Sequence, residues 1–237
     1  MPKFQKGYCI LFLYLSIIFS VYAQDTPVKN YLQQAGAYAE IYNGEIEAAY
    51  STVQYKNLPY YNSSDFTDGD IVFRKNTYPN QKIRLDLYKD QLIVISPGKQ
   101  YAITVCSSDV EKVYMYSKTF VWLTPPKESQ LKTGFYLQLL DGEKIRLFHR
   151  ENYSLQQNIQ DKVVVTYFDR KIRYYILYNN RYYPVKNKGS FTKIFPQYKK
   201  QINKFVKEHK LNFGQTPDES LFSLSDYCEE LIKKNNE

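Results

Sequence analysis

Histidine and cysteine are scarce in this chain of 237 residues, which has two of the first and three of the second. His149 and His209 lie far apart in sequence, and a zinc site would need more His or Cys than two distant pairs naturally offer. No H-E-x-x-H, G-x-S-x-G, P-loop or paired C-x-x-C motif occurs. Motifs therefore assign no catalytic residue, metal ligand or cofactor. Carboxylates are numerous, and two of them could do acid–base work on a glycan, but spacing alone does not pair them. A second long apolar run is missing as well: beyond residue 23 no stretch is long enough to cross a bilayer as a helix. Internal repeats and low-complexity linkers are also absent, so a single domain is expected over residues 24–237.

The one long apolar run stands at the start. Lys3 and Lys6 form a short positive region, and Cys9 to Ala23 follows without a charge. Val21-Tyr22-Ala23 then places a tolerated residue at −3 and a small one at −1, with Gln24 as the new N-terminus. As a helix this run would span about 22 Å, short of the roughly 30 Å of bilayer hydrocarbon. Residues 1–23 therefore read as a cleaved secretory signal. The implied location is the periplasm, the outer-membrane surface or the cell exterior. Cleavage leaves 214 residues with a net charge of +6, enough chain for one core. Only Cys106 and Cys228 remain. An oxidising compartment permits a disulfide between them, and the alternative is that each is a small buried hydrophobe.

Strand signals dominate residues 69–185. Ile83, Leu85 and Leu87 alternate with Lys82, Arg84 and Asp86, the period of a half-buried strand. A two-residue turn at Lys89-Asp90 would set Leu87 opposite Leu92 and Leu85 opposite Val94. Asp141-Gly142 predicts a type I′ turn joining 135–140 to 143–149, and Asn179-Asn180 another joining 173–178 to 181–185. Shorter strands are expected near 101–106, 110–116, 119–123 and 163–168. Successive hairpins predict an antiparallel meander rather than βαβ units. The 25 tyrosines suit such half-buried faces, where a ring packs and its hydroxyl reaches water.

The tail changes period. After Pro196, residues Tyr198, Ile202, Phe205, Val206 and His209 share one side of a helix, with Lys199, Lys200, Lys204 and Lys207 on the other. Thr216, Pro217 and Glu219 then have the spacing of a capping box, followed by an apolar stripe of Leu221, Leu224, Cys228 and Leu231. The fold class expected is α+β: a curved, mainly antiparallel sheet covered by two C-terminal amphipathic helices at about 190–237.

The most informative local feature is the segment 170–210, with twelve Lys or Arg against the single acid Glu208. Arg173, Tyr175, Arg181, Tyr183, Lys199 and Lys200 are its candidate ligand surface, since clustered charge attracts polyanions and exposed rings stack on sugars. The plainer alternative is a solvated charged face. The acidic last helix, with Asp218, Glu219, Asp226, Glu229 and Glu230, offsets part of the charge.

Several stretches resemble exported proteins of Bacteroidetes. These are the signal ending in Tyr22-Ala23-Gln24, the run Leu32-Gln33-Gln34-Ala35-Gly36, the Lys82–Ile95 hairpin, and the tail from Asn179-Asn180-Arg181-Tyr182-Tyr183 through Ser190-Phe191-Thr192-Lys193-Ile194-Phe195. The resemblance implies a Gram-negative envelope and carries over no catalytic residue. The function expected is a non-catalytic binding or interaction module. Anionic lipid, lipopolysaccharide, acidic glycan and an outer-membrane protein are its candidate partners, and nucleic acid is not one. The alternative is a hydrolase of envelope or dietary glycans, which predicts a pocket with facing carboxylates or a histidine beside one. A third reading, a structural partner of an outer-membrane assembly, predicts an exposed apolar patch or a free sheet edge.

Overall fold

The computed structural model describes residues 25–234 except 37, 38, 53, 100, 130 and 161. The signal segment and Gln24 lie outside the described residues. Helix α1 (Asp25–Ala35) is followed by eleven strands in one open sheet. These are β1 (Glu45–Ile46), β2 (Thr67–Phe73), β3 (Asn76–Asp86), β4 (Gln91–Ile95), β5 (Ala102–Thr104) and β6 (Val110–Met115). They continue as β7 (Lys118–Leu123), β8 (Gly134–Asp141), β9 (Ile145–Gln160), β10 (Val163–Tyr178) and β11 (Arg181–Val185). The order is β1-β5-β4-β3-β2-β6-β7-β8-β9-β10-β11, and every neighbouring pair is antiparallel. Two meanders meet at β2, which pairs with both β3 and β6.

Turn chemistry explains where the chain reverses, and where the sequence misled. Asn179 and Asn180 both have positive φ, the type I′ turn expected. Arg74-Lys75 and Tyr116-Ser117 make the same turn without a favouring residue. The Arg74 side chain there is held by Asp109 and Glu40, and the Lys75 amide by Glu111. The β3–β4 register differs from expectation by two residues: Leu85 faces Leu92 and Ile83 faces Val94. The Asp86 carboxylate accepts the Tyr88 and Lys89 amides and widens the loop to residues 87–90. Asp141-Gly142 is not a type I′ turn either. Asp141 pairs with Arg146 and the loop runs over 142–144, because the Glu229 carboxylate accepts the Lys144 and Ile145 amides.

After β11 come three helices where two were expected: α2 (Lys188–Ile194), α3 (Lys199–Glu208) and α4 (Pro217–Lys234). Asn187 caps α2 through the Ser190 amide. Helix α4 begins at Pro217 as its sequence suggests, but the Thr216 hydroxyl donates to the Asn212 carbonyl rather than closing a capping box. Its buried stripe is Leu221, Leu224, Cys228 and Ile232.

Three apolar clusters organise the interior. The first lies among β2–β8 under α1, around Ile71, Ile83, Leu85, Leu92 and Phe120. The second joins one face of β9–β11 to α2–α4 through Ile176, Phe191, Phe195 and Ile202. A smaller one on the opposite face holds Val121, Leu131, Tyr136, Phe148 and Tyr175. Cys228 belongs to the second cluster and Cys106 is exposed beside β5; both thiols are free, so the bridge between them is not formed. Burial pushes the Cys228 thiol pKa up to about 12, which leaves it a small core hydrophobe.

The open sheet bends far enough for the β3–β4 loop to meet β8 and β9. There Arg150, 5% exposed, makes a two-pronged ion pair with Asp90 at 2.6 and 2.7 Å and donates to the Phe135 carbonyl. The Phe135 amide in turn donates to Asp90. Gly134 has φ +147°, and a Cβ there would come within 2.5 Å of the guanidinium, so only glycine leaves room for the pair. Removing one partner of a buried ion pair costs about 3–5 kcal/mol. Arg150→Met and Gly134→Ala should each lower urea stability on that scale, and together by clearly less than the sum. Additive losses would show that the two sites are not coupled.

Candidate functional site

The site is one hairpin with two chemically different faces. Strands β9 and β10 pair over 16 residues each, well past the ends of β8 and β11. Only parts of this hairpin were expected: Tyr153, Leu155 and Ile159 do alternate with polar residues, but Gln157 interrupts the run and most of 150–160 is polar. Cross-strand partners share a face. On the helix side lie the pairs His149–Tyr174, Glu151–Ile172 and Tyr153–Arg170; on the opposite side lie Arg150–Arg173 and Asn152–Lys171.

The helix-side residues form a polar seam between the first and second apolar clusters. His149 is 6% exposed, with Nδ1 3.2 and 3.3 Å from the two oxygens of Asp218, in the first turn of α4. Tyr174 donates to the same carboxylate at 2.5 Å. Burial pulls the Asp218 carboxyl upward, but these two hydrogen bonds outweigh it and hold the group below the usual carboxylate range. An ionised carboxylate only accepts, so Nδ1 carries a proton. Burial and the Asp218 charge push the Tyr174 phenol up, so it too stays a donor. On the other side of the imidazole, Nε2 is 3.7 Å from Glu151 and is buried without a hydrogen bond. Glu151 accepts from Tyr153 at 3.1 Å and faces Arg170 at 3.5 Å. A cavity of about 440 Å³ opens here, walled also by Tyr61, Asn62, Lys118 and Gln215.

The opposite face carries a smaller cavity of about 230 Å³. Its cations are Lys132, Arg150, Lys171 and Arg173, and no carboxylate lines it. Tyr136, Tyr175 and Asn152 complete most of the wall, and Asn152 Nδ2 is buried with no hydrogen-bond partner. Arg150 stacks its guanidinium 4.8 Å from the Tyr136 ring centre, which fixes the floor of the cavity.

The candidate ligand surface is thus divided. Arg173 and Tyr175 lie in the basic cavity. Tyr183 pairs with Ile176 and Arg181 with Tyr178 on the edge strand β11, and both line a separate cavity of about 550 Å³ with Glu128, Ser129, Leu131 and Tyr182. Lys199 and Lys200 are exposed at the start of α3. Sequence charge-counting missed Lys132 and Asn152, which come from a loop and a polar strand. His209 stacks on Phe205 at the end of α3 and takes no part in either cavity. The described residues include no group of three His, Cys, Asp or Glu arranged to hold a metal ion, and no helix long and apolar enough to cross a membrane. At the hairpin tip Ile159 and Val164 are exposed on the helix side and Val163 on the opposite side.

Comparison with known proteins found no match: no family model, no curated protein and no solved structure is similar to this chain.

The polar seam has a pH signature. The folded Asp218 pKa lies below its unfolded value, so its contribution is complete above the unfolded pKa and is lost as pH falls through the folded one. Glu229, held low against burial by the 144 and 145 amides, acts with the same sign at the other end of α4. Asp218→Asn should be less stable than wild type near neutrality, and the gap should close between about pH 5 and pH 2. A gap that stays constant in pH-dependent urea melts would remove Asp218 from this role.

Proposed function

We propose that this chain is an exported module that binds an anionic group, carboxylate, sulfate or phosphate, in the basic cavity on the sheet face opposite the helices. The observation that carries the reading is the lining: four cations and no carboxylate around the unpartnered Asn152 amide. Arg150 is already neutralised by Asp90 and serves as a fixed floor. The exposed Lys132 and Arg173 then supply uncompensated charge, and Lys171 shares its charge with one rim acid, Asp169, at 3.8 Å. An oxyanion entering there would accept from Lys132, Lys171 and Arg173, which is the charge-assisted type of hydrogen bond.

Cavity size narrows the partners. About 230 Å³ accommodates one charged group and a ring, not the body of a lipid. Among envelope polyanions that favours an acidic glycan over lipopolysaccharide or anionic lipid. Export, with residues 1–23 removed, and a Gram-negative envelope are part of the same reading. A hydrolase is less well supported. His149 does stand between two carboxylates, but its Nε2 is sealed from solvent, so it offers no open lone pair for proton transfer.

Titration calorimetry with glucuronic acid and with inorganic sulfate tests the proposal. The pair Lys171→Ser and Arg173→Ser should weaken binding by about tenfold or more, since charge-assisted bonds contribute roughly 1.5–3 kcal/mol each. Lys199→Ser with Lys200→Ser should change it little. Equal losses from both pairs would return the basic segment to a solvated face.

A further inference from the structure

Three cavities surround the free edge of β10, and they share walls. The basic cavity and a groove of about 450 Å³ have Arg173 and Tyr175 in common. That groove and the helix-side cavity have Ile172, Tyr174 and Pro217 in common. The groove exists because β11 ends at Val185, opposite Tyr174, while β10 continues. From Asp169 to Arg173 no strand among the described residues pairs with this edge; only Asn57, which brackets Phe168, and Tyr55 with Lys56 reach β10 farther on. The result is a belt that starts in a basic cavity, crosses a sheet edge over apolar Ile172, Val185 and Phe213, and ends in a cavity of mixed charge.

We infer that the ligand is an extended acidic oligosaccharide wrapped across the β10 edge, with its charged sugar in the basic cavity and a neutral sugar in the cavity beside His149. The inference rests on the anion-binding reading above. The far cavity suits a neutral sugar: Lys118 and Arg170 are countered by Glu151, Asp218 and Glu219, so no net positive charge favours a second anion. Its walls supply rings and paired donors and acceptors. Tyr61 and Tyr153 offer faces for C–H stacking, while exposed Asn62 can donate to one hydroxyl and accept from the next, and Gln215, whose Oε1 accepts from Asn212, can donate through its amide. Hydrogen bonds order this cavity: the imidazole and Tyr174 hold Asp218, while Tyr153 and Arg170 hold Glu151. A peptide fits less well. The belt crosses the edge instead of running along it, and the unpaired stretch is too short, closed by β11 and by Asn57, for strand addition.

Calorimetry with three probes tests this: free glucuronic acid, a tetrasaccharide alternating glucuronic acid with N-acetylglucosamine, and hexaglutamate as the peptide control. The tetrasaccharide should bind at least about tenfold tighter than glucuronic acid, because a linked second contact adds to the first at high effective concentration. The exposed-residue variants Asn62→Ala with Gln215→Ala, and separately Ile172→Ser, should bring the tetrasaccharide down to the glucuronic acid level and leave glucuronic acid itself unchanged. The inference is overturned if wild type binds both sugars equally, if the variants keep the advantage, or if hexaglutamate binds more tightly than the tetrasaccharide. Failure of glucuronic acid and sulfate alike to bind would instead remove the basic-cavity reading, and this inference with it.

Discussion

Asp90 and Arg150 meet where a bent sheet brings one hairpin loop against two distant strands, and the candidate site depends on that contact. A buried guanidinium needs its charge matched and its N–H groups satisfied. Asp90 and the Phe135 carbonyl do most of this, the Tyr136 ring covers one face, and Gly134 makes the space. The arrangement fixes β9 at the point where it leaves β8. From there the hairpin projects with its two faces set: Arg150 and Asn152 to one side, His149 and Glu151 to the other. Charge is thereby concentrated in a cavity rather than spread over a surface.

Helix α4 is fastened by carboxylates at both ends. Asp218 joins its first turn to His149 and Tyr174, and Glu229, near its far end, takes two amides of the β8–β9 loop. Between them Leu221, Leu224, Cys228 and Ile232 supply the apolar contact. The polar seam at His149 lies where the first two apolar clusters fail to meet, which is why a cavity persists beside it. Acidity of the last helix, which in sequence seemed only to offset the basic tail, turns out to be partly structural.

Much of the fold was legible. Alternation in 82–95 and the Asn179-Asn180 turn place real hairpins, and the change of period after residue 190 marks the helical tail. The errors have identifiable causes. The Lys89-Asp90 and Asp141-Gly142 turns were displaced by carboxylates from outside them, Asp86 and Glu229, and no local rule includes a partner 85 residues away. Arg74-Lys75 and Tyr116-Ser117 adopt left-handed turns that their residue types do not announce. The long hairpin was hidden because Gln157 interrupts the apolar alternation of Tyr153, Leu155 and Ile159. For the site, charge density pointed to Arg173 and Tyr175, but Arg181 and Tyr183 line a different cavity, beside Leu131 and Tyr182. Lys132, Asn152 and the Asp218–His149–Glu151 group required the tertiary fold.

The central claim is that positive charge acts through one cavity floored by Arg150. The most direct measurement is a nitrogen–proton NMR titration with glucuronic acid, following the Asn152 side-chain amide, which now lacks a hydrogen-bond partner. The account predicts saturable shifts of that amide, with backbone shifts confined to 150–154 and 171–175. Shifts spread over the lysines of α3, with the Asn152 amide unmoved, would contradict it.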